Sequence, residues 1–147
     1  MRTALFLCIA ATMTGSGCFL VPGTPEAAFH DFQTNDHKES YLVLPLCIAG
    51  DKVVPLVVEK VRDKDLRRRR YAIGFLGTAD DDTPIPVLEN IVNDDSELEY
   101  FRGDALEALF VLNEKKGLAA ASTYRERNDL LGTVSRQLLA VSDHHQF

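Results

Sequence analysis

The sequence predicts an all-α fold, an α-α superhelix of about three antiparallel helix pairs. Three observations carry this. Residues 53–112 hold one pattern twice: Pro55 falls on Pro86, Val61 on Val92 and Asp63 on Asp94, 31 residues apart, while Ala72 falls on Ala105, Ile73 on Leu106 and Leu76 on Leu109, 33 apart. A helix pair cannot bury its apolar face alone, so repetition at this period points to stacked helical hairpins. Tryptophan is absent and aromatics are 8% of a chain that is 46% hydrophobic, which leaves Leu, Val, Ile and Ala to fill the core, residues that suit closely packed helices. Residues that start and stop helices recur between the apolar runs.

The first 17 residues form a unit of their own. Met1-Arg2-Thr3 is basic, residues 4–13 are apolar and too short to span a bilayer, which takes roughly 20 residues, and small residues lead to Cys18. The segment resembles a bacterial lipoprotein signal peptide, in which the Cys after the cleavage site is lipidated. Ser16 and Gly17 match the small residues before that Cys, whereas Gly15 departs from the usual Leu-like residue. An ordinary secretory signal or a buried N-terminal helix is the alternative. The resemblance implies lipidation at Cys18 and membrane anchoring of the mature chain. Phe19, rather than Asp, after the Cys favours the outer membrane. Removal of residues 1–17 takes away one charge, Arg2; 15 basic and 22 acidic side chains remain, so the net charge goes from −6 to −7. Cys47 is left without a partner for a disulfide and reads as a small buried hydrophobe.

Residues 18–35, with Pro22, Gly23 and Pro25, read as a tether or lead-in, with a short helix over residues 26–33 carrying Phe29 and Phe32. The helical domain is expected over residues 36–142. Residues 36–50 give a helix capped by Asp36 and Glu39, kinked or delayed by Pro45 and stopped at Gly50. Residues 51–62 follow with Asp51 as cap and Val53, Val54, Val57, Val58 and Val61 on one face. β-Branched richness alone would suggest a strand, but the second copy decides for helix: Thr83 caps, Pro84 and Pro86 occupy the first turn, and Ile85, Leu88, Ile91 and Val92 recur at helical spacing. A helix over residues 65–76 has Asp65 as cap and Ala72, Ile73, Phe75 and Leu76 as its buried side. Ser96 and Glu99 form a capping box for the next, whose stripe is Leu98, Phe101, Ala105, Leu109 and Leu112. Residues 115–141 make one broken helix or two, restarted at Asn128 or Asp129, and cover the end of the stack. Residues 142–147 are expected to fray.

The runs R-R-Y-A-I-G-F-L-G, D-D-D-T-P-I-P-V-L-E-N-I-V-N-D-D-S and R-G-D-A-L-E-A-L resemble HEAT repeats of the short bacterial type named for phycobilisome lyases. The resemblance covers about residues 53–112. It implies a protein-binding or scaffolding solenoid, and the lyase name carries no activity with it.

Arg67, Arg68, Arg69 and Arg70 are the densest charge run. On a helix they cannot share one face, because successive residues lie about 100° apart. They are read either as a docking patch for an acidic partner or lipid headgroups, or as a solvated helix start whose members pair with neighbouring carboxylates such as Asp94, Asp95 or Glu99. Glu59, Lys60, Glu89 and Asn90 are the expected exposed lining of a partner-binding groove flanked by those arginines. Asp80-Asp81-Asp82 lacks the alternating ligand spacing of a calcium loop. Arg102-Gly103-Asp104 spells an adhesion tripeptide, but in mid-helix. His30, His37, His144 and His145 show no metal-ligand spacing. No cofactor, metal or catalytic residue is implied. The expected function is a membrane-tethered, non-catalytic protein-interaction module of the bacterial cell envelope. A cytosolic lyase-like or enzyme-accessory factor is the alternative. A nucleic-acid-binding protein is disfavoured by the net charge of −6.

Overall fold

A computed structural model describes residues 23–36 and 38–144; the leader, Cys18 and His37 lie outside the described residues. Among the described residues every regular element is helical. In chain order these are α1 (Pro25–Thr34), α2 (Leu44–Ala49), α3 (Val54–Lys60), α4 (Arg69–Leu76), α5 (Ile85–Asn93), α6 (Glu99–Leu112), α7 (Glu114–Tyr124) and α8 (Leu130–His144), with 3-10 turns at Glu39–Tyr41 and Gly50–Val53. Consecutive helices pack against each other (α1 on α2, α3 on α4, α5 on α6, α7 on α8), and α4 packs on α6 and α6 on α8. One apolar core runs through them. Phe32, Leu46, Val57, Ile73, Leu76, Leu88, Leu106 and Leu131 are fully buried.

Tertiary burial overrides the strand propensity of the valine run. Val53, Val54, Val57 and Val61 are buried at steps of 1, 3 and 4, which puts them on one side of α3 and of the turn entering it. Ile85, Leu88, Ile91 and Val92 on α5 and Ala72, Ile73, Phe75 and Leu76 on α4 are buried as their spacing predicts. The lead-in is more than a tether. Thr24 Oγ1 accepts from the Ala27 amide at 3.2 Å, Pro25 fills the first turn, and α1 places Phe32 in the core. Packing therefore begins before residue 36.

Helix starts differ from expectation at several points. Pro45 does not kink a long helix; it occupies the first turn of the short α2, where its missing N–H costs nothing, and Gly50 ends it at φ +61. Asp51 caps nothing, because a 3-10 turn leads into α3. Asp63 Oδ1 accepts from the Asp65 amide, an Asx turn that holds the chain out of helix until Arg69, so Asp65 is not a cap. Asp81 takes the Thr83 amide, and Asp94 takes both the amide and the hydroxyl of Ser96; neither Thr83 nor Ser96 caps a helix. The α6 stripe is rotated from the expected one: Arg102, Ala105, Leu106, Ala108 and Leu109 are inside, and Leu98 is exposed before the helix. Asp129 does cap α8, accepting from the Gly132 amide at 2.9 Å, and α8 continues past residue 142 to His144 with Ser142 buried.

Only Asn113, whose Oδ1 accepts from the Lys116 amide, separates α6 from α7. A Cβ on Gly117 would lie 2.4 Å from Phe110 Cα, so that turn closes only around glycine. Gly117→Ala should lower stability by about 1–3 kcal/mol in urea unfolding. Gly74→Ala, in mid-α4 with nothing within 4 Å of the new methyl, should raise it by about 0.5–1 kcal/mol. A neutral Gly117→Ala would show that the α6–α7 turn is not the tight point described.

Candidate functional site

The last carbonyls of a helix have no partner within it and lie at the negative end of its dipole. At four helix ends an arginine from later in the chain supplies the donor. Arg68 donates to Phe32 O and, at 2.5 Å, to Asn35 O at the end of α1. Arg69 Nε donates to Val61 O and Arg102 Nε to Val92 O, both at 2.8 Å, at the ends of α3 and α5. Arg136 Nη1 reaches Arg125 O and Arg127 O beyond α7. Arg69 and Arg102 are 33 residues apart and make equivalent bonds to carbonyls 31 apart, so the sequence repeat is also a repeat of hydrogen bonding.

Both of these guanidinium groups are buried, and the neighbouring segment completes each. Arg69 Nη2 pairs with Glu97 at 2.8 Å, with both side chains under 5% exposed, and its Cζ lies 4.8 Å from the centre of the Phe101 ring. Arg102 pairs with Asp95 at 2.9 Å and lies 5.4 Å from the Tyr124 ring, but Asp95 is 85% exposed. One nitrogen of each, Arg69 Nη1 and Arg102 Nη2, has no hydrogen-bond partner among the described residues; the electron-rich ring face beside each guanidinium offsets part of that cost. Other bridges connect the same segments. Lys64 binds Asp94 at 2.7 Å, and together with Ser96 it holds the Asp94 carboxyl well below the usual carboxylate range. Tyr124 Oη donates to Asn93 at 2.6 Å, and Arg70 makes a two-point pair with Asp104 at 2.6 and 2.9 Å.

The arginine run is therefore divided among different tasks. Arg68 and Arg69 serve as helix-end donors, Arg70 pairs with Asp104, and Arg67 is exposed on the turn. Arg69 is 2% exposed and cannot face a partner. Of the carboxylates expected to meet these arginines, Asp94 takes Lys64 and Asp95 takes Arg102; the true partners, Glu97 and Asp104, were not anticipated. Arg102 is buried, so the adhesion tripeptide is not displayed. Arg68 adopts a left-handed backbone, φ +61, unusual for a residue with a Cβ and stabilised by its carbonyl contacts. The acidic loop is tied back, with the Asp80 amide on Asp51 at 3.2 Å.

The other expected surface residues lie on α3 and α5. Glu59 pairs with its neighbour Lys60 at 3.1 Å on α3; Glu89 on α5 pairs with Lys116 at 2.7 Å, and Asn90 is exposed beside it. A groove lies across α2, α4 and α6, with a volume of about 570 Å³. Its floor is apolar, from Val43, Phe75, Ala108 and Val111. Glu39, Tyr71, Arg70, Asp104 and Glu107 line it as well. Tyr71 Oη donates to Glu39, which pushes the phenol pKa up. Partial burial, followed by the nearby Asp104 carboxylate, pushes the Glu107 carboxyl up. Cys47 is exposed on this groove, not buried. Sequence spacing offered one signal for this: Val43 and Cys47 are four apart, as are Tyr71 and Phe75, and Asp104, Ala108 and Val111 step by 4 and 3.

Comparison with protein-family models, curated proteins and solved structures found no match to this chain. Among the described residues no three His, Cys, Asp or Glu side chains converge as a metal site, and no helix is long and apolar enough to cross a membrane.

The two clamps predict unequal losses. Glu97→Ala strands a buried Arg69 and should cost about 3–5 kcal/mol. Asp95→Ala removes a solvated partner and should cost about 1 kcal/mol or less. Equal losses in chemical denaturation would contradict the burial difference. Asp94 has a depressed folded pKa, so its contribution is complete above the unfolded value of about 4 and disappears as pH falls below it. Asp94→Asn should flatten the stability profile in that acid window and leave its slope near neutrality unchanged.

Proposed function

We propose that the chain is a non-catalytic protein-interaction module, a HEAT-like solenoid of stacked helix pairs tethered to the bacterial cell envelope through lipidated Cys18. The observation that carries the interaction reading is the groove across α2, α4 and α6. Its floor is apolar, and two of its polar contacts, Arg70 with Asp104 and Tyr71 with Glu39, are internal, an arrangement suited to holding a shape. The solenoid reading is supported by two equivalent arginine clamps one period apart and by the packing of α1 with α2, α3 with α4, α5 with α6 and α7 with α8. The tether rests on the basic, apolar and small-residue order of residues 1–18. In such a protein the acyl chains hold the solenoid at a membrane surface while the groove faces water and a protein segment.

Intact mass of the protein from its native membrane fraction tests the tether. A chain beginning at Cys18 and carrying acyl groups, absent in Cys18→Ala, is expected. A full-length, unmodified chain in the soluble fraction would sink the tether and leave the cytosolic accessory reading.

A further inference from the structure

The walls of the groove are not neutral. Among the described residues, Glu39, Asp104 and Glu107 line it against the guanidinium of Arg70, three negative charges to one positive. Arg70 is committed to Asp104 by two hydrogen bonds. Glu107, exposed on the groove, stands beside the Asp104 carboxylate and shares the charge of Arg70 with it, an arrangement that a second cation would relieve. Apolar surface is also exposed here: Val111 in the lining is 69% exposed, and Leu44 and Ile48, one helical turn apart on α2, are exposed as well.

We propose that this groove docks a short cationic, apolar segment of a partner protein, with a Lys or Arg between Glu39 and Glu107 and flanking aliphatic side chains on Val43, Phe75 and Val111. Charge complementarity selects this occupant. A nucleic acid or an anionic membrane surface would set phosphate against carboxylates. A second copy of a chain with net charge −6 would bring excess negative charge to an acidic groove. The volume of about 570 Å³ lies in the range of ligand pockets and accommodates a few side chains rather than a folded surface. This deepens the interaction-module reading and rests on it.

Cys47, exposed on the wall, supplies a reporter inside the groove. Its alkylation by iodoacetamide, located by peptide mass mapping of the full chain, is followed with an end-blocked peptide Ser-Val-Leu-Lys-Leu-Val-Ser and with the same peptide carrying Glu for Lys. The Lys peptide should slow the reaction saturably, on the order of fivefold when the site is about 80% occupied. The Glu peptide should have no effect at the same concentrations. The double variant Glu39→Gln/Glu107→Gln, which alters exposed side chains and whose fold is checked by circular dichroism, should weaken protection by about tenfold or more, the loss expected for roughly 1.4 kcal/mol of charge interaction. Equal slowing by both peptides, no slowing by either, or full protection of the double variant would overturn the proposal. So would slowing that grows with protein concentration alone, which would assign the groove to a second copy. The two readings fail separately. Crosslinks from the membrane-derived protein to a partner on the α3 and α5 side would keep the module and remove this groove from it. Peptide protection on a chain found unmodified in the soluble fraction would keep the groove and remove the tether.

Discussion

The structure depends on what happens to the carbonyls at the ends of its odd-numbered helices. The helices are short, and short helices gain little from propensity alone, so unsatisfied groups at their ends weigh heavily. A water molecule could serve an exposed end, but the ends of α3 and α5 are covered by the next segment. A guanidinium answers both requirements: it is a planar multiple donor with a positive charge placed at the negative end of a helix dipole. Its burial then imposes further demands. Arg69 needs the carboxylate of Glu97 and the ring of Phe101 from the following unit. The interaction that closes one hairpin thereby fixes the position of the next.

Two ranges of contact result. Arg69, Arg102 and Arg136 reach carbonyls 8 to 11 residues back, within a helix–turn–helix. Lys64 to Asp94, Arg70 to Asp104 and Tyr124 to Asn93 span 30, 34 and 31 residues, about one repeat. The short bonds tie the end of one helix to the helix that follows, and the long ones join segments about 30 residues apart. The groove is a product of the second range. Glu39 and Asp104 belong to different segments, and Tyr71 and Arg70, adjacent on α4, each hold one of them.

The fold was legible in the sequence because burial follows period. The four α4 core positions and the α5 stripe stand where apolar spacing put them, and the repeat decided between helix and strand for the valine run. Helix starts were less legible. Asp63, Asp81 and Asp94 each accept the amide of the residue two places on that was expected to cap, and sequence alone does not rank an Asx turn against a cap. The site was the least legible part. Four consecutive arginines look like one patch, yet a left-handed residue at Arg68 and a helix beginning at Arg69 send them in different directions. The groove was hidden because it joins residues of three helices separated by long stretches of chain. Cys47 was misplaced because its hydrophobic neighbours suggested burial, whereas α2 is too short to be covered on all sides.

The short clamps have a consequence for how such a chain grows. In the pairs α3–α4, α5–α6 and α7–α8 the arginine and the carbonyl it satisfies lie within one stretch of about a repeat's length. Copying that stretch copies donor and acceptor together, so a duplicated hairpin arrives with its own helix end already sealed and needs only a neighbour's carboxylate and ring to settle against. The first pair is different: the end of α1 waits for Arg68, which lies in the following unit. Lengthening by duplication is therefore simple in the middle and towards the C-terminus, while the N-terminal pair is bound to whatever unit comes next.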